Sequence, residues 1–434
     1  VAARDGASAV IKPHSSQQAW QICHQCGELQ QRMHAEAGHL LLCPNCQSPL
    51  PESKTRWVQP ATALSVTAVV LFIISNSFDF LSLKLVSFEQ SASILSGVGA
   101  LVAHEQWLLA GLVFSTIFLF PLLEVSALLY LLVPFQLNKR LPGQVAVLRW
   151  LIRAQPWSML EIFLLAILVT SVKLGDMASL IPGVSMYAFF ALVPILTIAY
   201  ALIDRQSLWN FLQPNNCYVA KATDKLYACG VCEAMVGETL LEHSSHCPRC
   251  LSPMHKRIPN SLQKTSALIA ASVILYIPAN LLPFMTTRTL TGERDDTLVS
   301  GVISLLNHDM WLIAAVVFIA SIVVPMAKLG VLIYLLASAH FQHYRNQATK
   351  IRLFHLTELI GRWSMVDVYV VTLLTALVQF GFLGNIQPGN ALVAFAAVVV
   401  LTMLAAETFD PRLLDTPQEQ PGDFPAHAFK HEST

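Results

Sequence analysis

Apolar residues in this chain gather into runs about as long as a bilayer is thick, roughly 20 residues of helix. Eight runs stand out, at 60–80, 107–133, 157–176, 184–203, 266–286, 311–338, 363–383 and 389–408. They are long and uninterrupted, which predicts membrane-crossing helices. Pro121, Pro194, Pro278 and Pro325 fall inside them and predict kinks. Backbone groups freed at such kinks need partners within the bundle.

The polar positions between the runs recur. His104-Glu105-Gln106-Trp107 is answered by His308-Asp309-Met310-Trp311. Each Trp is followed at the same distance by Pro121 or Pro325, and then by Tyr130 or Tyr334. Trp157-Ser158-Met159 corresponds to Trp363-Ser364-Met365, Glu161 to Asp367, and Asn76 to Asn280. The offset stays between 204 (Pro121 to Pro325) and 206 (Trp157 to Trp363). The expected fold is therefore an all-α polytopic membrane protein built from a duplicated four-helix unit. Its divisions are a tail and cysteine module at 1–56, a first unit at 57–206, a second module at 207–260, a second unit at 261–410 and a tail at 411–434. The stretches Ser93–Val98 and Thr297–Val302 also match, and read either as amphipathic helices on the outer membrane surface or as plain connectors.

Composition sharpens this picture. Of 434 residues, 54% are apolar and 12% charged, about half the charge of a soluble domain. The formal net charge is zero, so no overall field points to nucleic acid. Residues 1–56 hold no apolar run of the signal-peptide kind. Four spans per unit return the chain to its starting side, so both cysteine modules face one compartment. That side holds Lys139, Arg140, Arg149 and Arg153 in one loop, and Arg345, Lys350, Arg352 and Arg362 in its counterpart. The other holds Lys84, Arg288 and Arg294 beside Glu293, Asp295 and Asp296. The positive-inside rule then places the modules and both termini in the cytoplasm.

Eight of the nine cysteines form four CxxC pairs. Cys23, Cys26, Cys43 and Cys46 make one set, and Cys229, Cys232, Cys247 and Cys250 the other; Cys217 stands apart. Two knuckles separated by a short hairpin have the spacing of tetrahedral four-cysteine zinc sites. Gly27 and Gly230 are expected to relieve the first knuckle of each. A filled cysteine set leaves no open coordination position, which predicts two structural Zn2+ ions.

Ionisable groups inside apolar helices are costly and mark function or partnership. Lys328 and Asp367 fall at similar depth on neighbouring spans, where a pair between them is geometrically allowed. Ser364, Ser321 and Thr402 could join them. The alternative is a lysine snorkelling to the interface beside a hydrated acid. In the first unit Glu124 takes the place of Lys328 and Glu161 that of Asp367, so one acid is protonated or both reach water. Lys173 and Asp176 sit near the far end of the third span. Together these groups could mark the two ends of a path for protons or lipid headgroups.

The paired CxxC modules, the repeated four-span unit and the Trp-Ser-Met-x-(Glu/Asp) signature resemble the paraquat-inducible protein A family, in particular its LetA (YebS-type) branch. The resemblance covers about residues 20–412. It implies a bacterial inner-membrane component that works with a periplasmic MCE-domain partner and passes phospholipid to or from that partner's tunnel. Parallel repeats meet along an axis normal to the membrane, so a cavity between the two units is the expected place for the lipid, lined by Lys328, Asp367, Ser364, Ser321 and Thr402 with Lys173 and Asp176 above them. No GxxxxGK[ST] or HExxH occurs, so neither ATP chemistry nor zincin catalysis is expected, and the chain is not read as an enzyme. Two other readings compete with transport: a membrane-anchored metal or redox sensor, and a scaffold for the partner.

Overall fold

The molecule, a computed structural model, is described at residues 20–22, 29–31, 57–85, 88–175, 179–213, 226–254, 260–289, 292–307, 311–341, 347–378, 384–410 and 413. It divides into two compact units, Val1–Ser53 and Lys54–Thr434. The first contributes an antiparallel pair, β1 (Trp20–Ile22) and β2 (Leu29–Gln31), with Trp20 opposite Gln31.

The second unit is a helical bundle. Its first lobe runs α1 (Val58–Ser77), strands β3 (Leu81–Leu85) and β4 (Phe88–Ala92), then α2 (Ile94–Ala103) and the long α3 (Trp107–Gln136). It continues with α4 (Gln144–Ala154), α5 (Leu160–Gly175), β5 (Ser179–Pro182) and α6 (Val184–Leu202). A short α7 (Arg205–Leu212) leads to the second cysteine module, with β6 (Leu226–Ala228), β7 (Met235–Gly237) and α8 (Glu238–His243). The second lobe follows in the same order: α9 (Ser261–Leu281), β8 (Met285–Thr289), β9 (Gly292–Asp296), α10 (Leu298–Asn307) and α11 (311–340). Then come α12 (Gln347–Gly361), α13 (Val366–Leu377), β10 (Gly384–Pro388) and α14 (Asn390–Thr408).

Among the described residues, seven helical stretches are long and apolar enough to cross a membrane. Six lie where the apolar runs predict them. The remaining one, Gln144–Ser171, begins earlier than expected, because the segment bearing Arg149 and Arg153 is helical rather than a loop and runs on into α5. The run at 363–383 yields a shorter apolar helix, Trp363–Leu377. Every residue of α13 is buried, so protein rather than lipid surrounds it.

Small sheets cap the end away from the second module, which the apolar pattern alone did not suggest. β3 pairs with β4 and β5 in the order β4-β3-β5, while β8 pairs with β9 and β10 in the order β10-β8-β9. The stretches read as surface helices or connectors are helices. Ser93 caps α2 by accepting from the Ser96 amide at 3.1 Å, and Thr297 caps α10 by accepting from the Ser300 amide at 3.2 Å. Yet α2 is not simply surface-bound. Gly97 sits so close to α13 that an added Cβ would lie 2.8 Å from Thr372 Cγ2, whereas nothing lies within 4 Å of the same point at Gly301.

The expected kinks at Pro121 and Pro325 take a specific form. A π-helical turn precedes each, at Ser115–Leu119 and Ile319–Val323. The wider turn relieves the clash of the proline ring with the preceding carbonyls. The amide of Phe120 reaches back to the Ser115 carbonyl, and that of Val324 to Ile319. Proline has no amide to offer Thr116, whose carbonyl accepts instead from Met159 N on the neighbouring span at 3.5 Å.

Glycine is required at the start of each fourth span. A Cβ on Gly183 would strike the Asp79 carbonyl, and one on Gly389 the Pro283 carbonyl. Both contacts are backbone, which cannot rotate away. Gly183→Ala or Gly389→Ala is expected to destabilise the bundle by about 1–3 kcal/mol or more, read as a lower melting temperature in detergent. Gly301→Ala should change it little.

Candidate functional site

The best-defined chemical cluster is the second cysteine module. The Sγ atoms of Cys229, Cys232, Cys247 and Cys250 are buried and lie within 4.8 Å of one another. Two of the pairs, Cys229–Cys250 and Cys232–Cys247, are each 3.5 Å apart. A tetrahedral ion with metal–sulfur bonds of about 2.3 Å has ligand edges of roughly 3.8 Å, so the thiols fit such an ion. The Ser252 hydroxyl lies 2.8 Å from Cys250 Sγ and 3.3 Å from Cys229 Sγ. Hydrogen bonds from the Cys232, Cys247 and Cys250 thiols hold the ionisation of Cys229 well below the usual thiol range, favouring the thiolate that metals bind.

The knuckles close differently from expectation. Gly230 keeps an ordinary backbone. The left-handed positions are instead the residues just after each second cysteine, Glu233 (φ 60°) and Leu251 (φ 57°). In the first module the position corresponding to Glu233 is Gly27, which lies outside the described residues, as do Cys23, Cys26, Cys43, Cys46 and Cys217. One four-cysteine cluster, not two, is therefore present among the described residues.

Both left-handed residues touch the bundle. Arg149 on α4 donates to the Leu251 carbonyl at 3.2 Å, and Gln206 on α7 donates to Glu233 at 2.7 Å. Arg249, inside the second knuckle and 5% exposed, donates to Gln206 and Asn210 on α7. Trp209 of the same helix is buried at 1% exposure. The cysteines share one apolar core with the first lobe. The module is thus built onto the bundle.

The membrane-embedded polar residues fall into two groups. In the second lobe Lys328, Ser321, Ser364, Asp367 and Thr402 are all buried. Ser321 donates to the Val317 carbonyl at 2.7 Å and Thr402 to Val399 at 2.9 Å, bonds within their own helices. Lys328 does not snorkel. Its side chain lies along Gly361, leaving no room there for a Cβ. Among the described residues no ion pair joins it to Asp367, because its ammonium is turned toward the end of α12 instead.

In the first lobe the two acids separate. Glu124 is 4% exposed, with the Ser158 and Tyr200 hydroxyls facing its carboxyl. Glu161 is exposed and accepts from Thr197 at 3.2 Å. Lys173 lies on α5, with its side chain outside the described residues, and Asp176 is outside them altogether.

A central contact had no signal in the pattern of charges. Tyr369 on α13, fully buried, donates to Thr116 Oγ1 at 2.8 Å in the π turn of the first lobe, and its hydroxyl lies 3.4 Å from Met159 Sδ. It binds the second lobe to the first. Uncharged and set in an apolar run, it could have been suspected only from its hydroxyl. Arg249 was overlooked because it stands between metal ligands.

Comparison with known proteins agrees with this arrangement. The family model described as paraquat-inducible protein A matches residues 58–213 and again 262–416. The chain belongs to the paraquat-inducible protein A family. It is 33% identical over 399 residues to the intermembrane transport protein PqiA of Escherichia coli K12, covering 90% of this chain and 94% of that one. It is 32% identical over 395 residues to the lipophilic envelope-spanning tunnel protein A of the same organism, covering 91% of each. A probable intermembrane transport protein of Haemophilus influenzae is 30% identical over 379 residues, covering 86% of this chain and 89% of that one. No solved structure matches. These relatives are transport and tunnel proteins by name, in keeping with a non-enzymatic role.

Elemental analysis of the purified protein should show one metal equivalent lost in Cys247→Ser. Arg249→Ala should keep the metal but raise hydrogen exchange across 205–212, at a cost of about 1.5–3 kcal/mol for the lost charged hydrogen bonds.

Proposed function

We propose that this protein is the inner-membrane component of a phospholipid transport system, passing lipid between the bilayer and a periplasmic MCE-domain tunnel. The observation that carries the reading is kinship to intermembrane transport proteins over about nine-tenths of the chain. The buried groups support it. Lys328 and Asp367 sit within apolar helices, where an ionisable side chain costs several kcal/mol, and such groups serve amphiphilic or ionic cargo.

The double family match and the repeated order of elements support a duplicated unit, with the paired π turns 204 residues apart (Ser115 to Ile319). Lys328, Asp367, Ser364, Ser321 and Thr402 serve the polar end of the lipid, with Lys173 and Asp176 further along its route. Zn2+ is the ion of the second module. A second Zn2+ belongs to Cys23, Cys26, Cys43 and Cys46, supported by β1 and β2, which bracket the first knuckle as β6 and β7 bracket Cys229–Cys232. The modules and the termini face the cytoplasm, a reading supported by the basic residues Lys139, Arg140, Arg149 and Arg153 at that end.

The variants Lys328→Ala and Asp367→Asn test this. In vesicles holding the protein with its MCE partner, each should lower phospholipid transfer at least tenfold, with expression and partner binding unchanged. Undiminished transfer would favour the scaffold reading. Transfer lost only when cysteines are replaced, in a protein that still folds, would favour the sensor.

A further inference from the structure

The first lobe contains a buried acid that the lipid path above does not use. Glu124 stands on α3 one turn past Pro121, in the place that Lys328 occupies in the second lobe. Its Oε2 has no hydrogen-bond partner among the described residues, and neither has the Tyr200 hydroxyl that faces the same carboxyl. Among the described residues no cation stands against it. α1 carries no titratable residue. Arg153 of α4 is exposed, and the half-buried Arg149 is committed to Leu251. α5 contributes Glu161, a like charge. Arg205 of α7 reaches Gln155 at 2.9 Å and influences Tyr200 rather than the acid.

A carboxylate so enclosed without a counter-charge is less favourable than the neutral acid, which needs only hydroxyl partners. The Ser158 and Tyr200 hydroxyls face this carboxyl. The surroundings also offer a way in. A hollow at the end of the bundle that carries the second module is lined by Gln155, Arg205, Leu208, Leu151, Leu128 and Tyr200. Polar groups at its mouth, Gln155 and Arg205, lead to Tyr200 at its wall, and the Tyr200 hydroxyl meets Glu124. Leu128 is one helical turn from the acid.

We propose that Glu124 is a proton-binding site, filled and emptied through Tyr200 from the end of the bundle that carries the second cysteine module. The ligand is a single proton. Glu161, exposed and bonded to Thr197, places a second carboxyl beside the buried one and no cation. The two lobes then differ in kind at one equivalent position: an acid that changes charge in the first, a lysine in the second. The proposal stands apart from the lipid reading and holds or fails without it.

The test uses purified full-length protein and dicyclohexylcarbodiimide, a lipophilic reagent that adds to protonated carboxyls in apolar surroundings. Adducts are mapped by mass spectrometry from about pH 6 to about pH 9, where an ordinary carboxyl is ionised. Glu124 should be modified at neutral pH while Glu161 is not, with a rate falling about tenfold or more toward the alkaline end. No adduct at Glu124 near pH 6, or a rate unchanged across the range, overturns the proposal. Infrared spectra give a second reading that does not depend on reagent access. The carbonyl stretch of a buried protonated carboxyl should be present at neutral pH and absent in Glu124→Gln, and its absence from the unaltered protein would equally overturn the assignment.

Discussion

A bilayer offers no hydrogen bonds, so each backbone group freed inside it must find a partner in the protein. Much of this bundle follows from meeting that demand at Pro121. The helix widens there into a π turn, which takes the Phe120 amide to Ser115; Pro121 has none to offer the Thr116 carbonyl, and the neighbouring span supplies the Met159 amide. Thr116 then presents its hydroxyl to Tyr369 from the other lobe. One missing N–H thereby fixes where α5 lies against α3 and where α13 docks.

The helices were readable because lipid imposes a simple rule on sequence: long apolar runs. The rule fails where protein replaces lipid. The segment 363–383 reads like its neighbours, yet α13 is short and wholly enclosed, since Tyr369, Thr372 and Thr375 can face other helices without cost. The strands at the far end escaped notice because residues such as Leu81–Leu85 and Met285–Thr289 are too few and too mixed to stand out beside membrane spans. The four-cysteine cluster was legible because CxxC spacing is a geometric requirement of the ion. Gly230, expected to relieve its knuckle, keeps an ordinary backbone, and the chain turns left-handed at Glu233 and Leu251 instead.

The second module also shows how a small metal fold can belong to a membrane bundle. Its two strained turns are the points of attachment, one to α4 and one to α7. Arg249 lies between two ligands and points the other way, into α7. An ion that holds the knuckles therefore also holds the helix that follows the last span of the first lobe, and with it Arg205 and Leu208 at the mouth of the hollow.

The widened turns carry an extra residue each, inserted into otherwise regular helices. A residue added to a helix rotates everything on one side of it by about 100° relative to the other. Were Ser115–Leu119 shortened by one, the stretch from Trp107 would swing around its axis, and Leu109 and Val113, now in the core, would face outward. The azimuth of Glu124 relative to the start of its own helix, and that of Lys328 in the other lobe, is thus written by a single surplus amino acid in each.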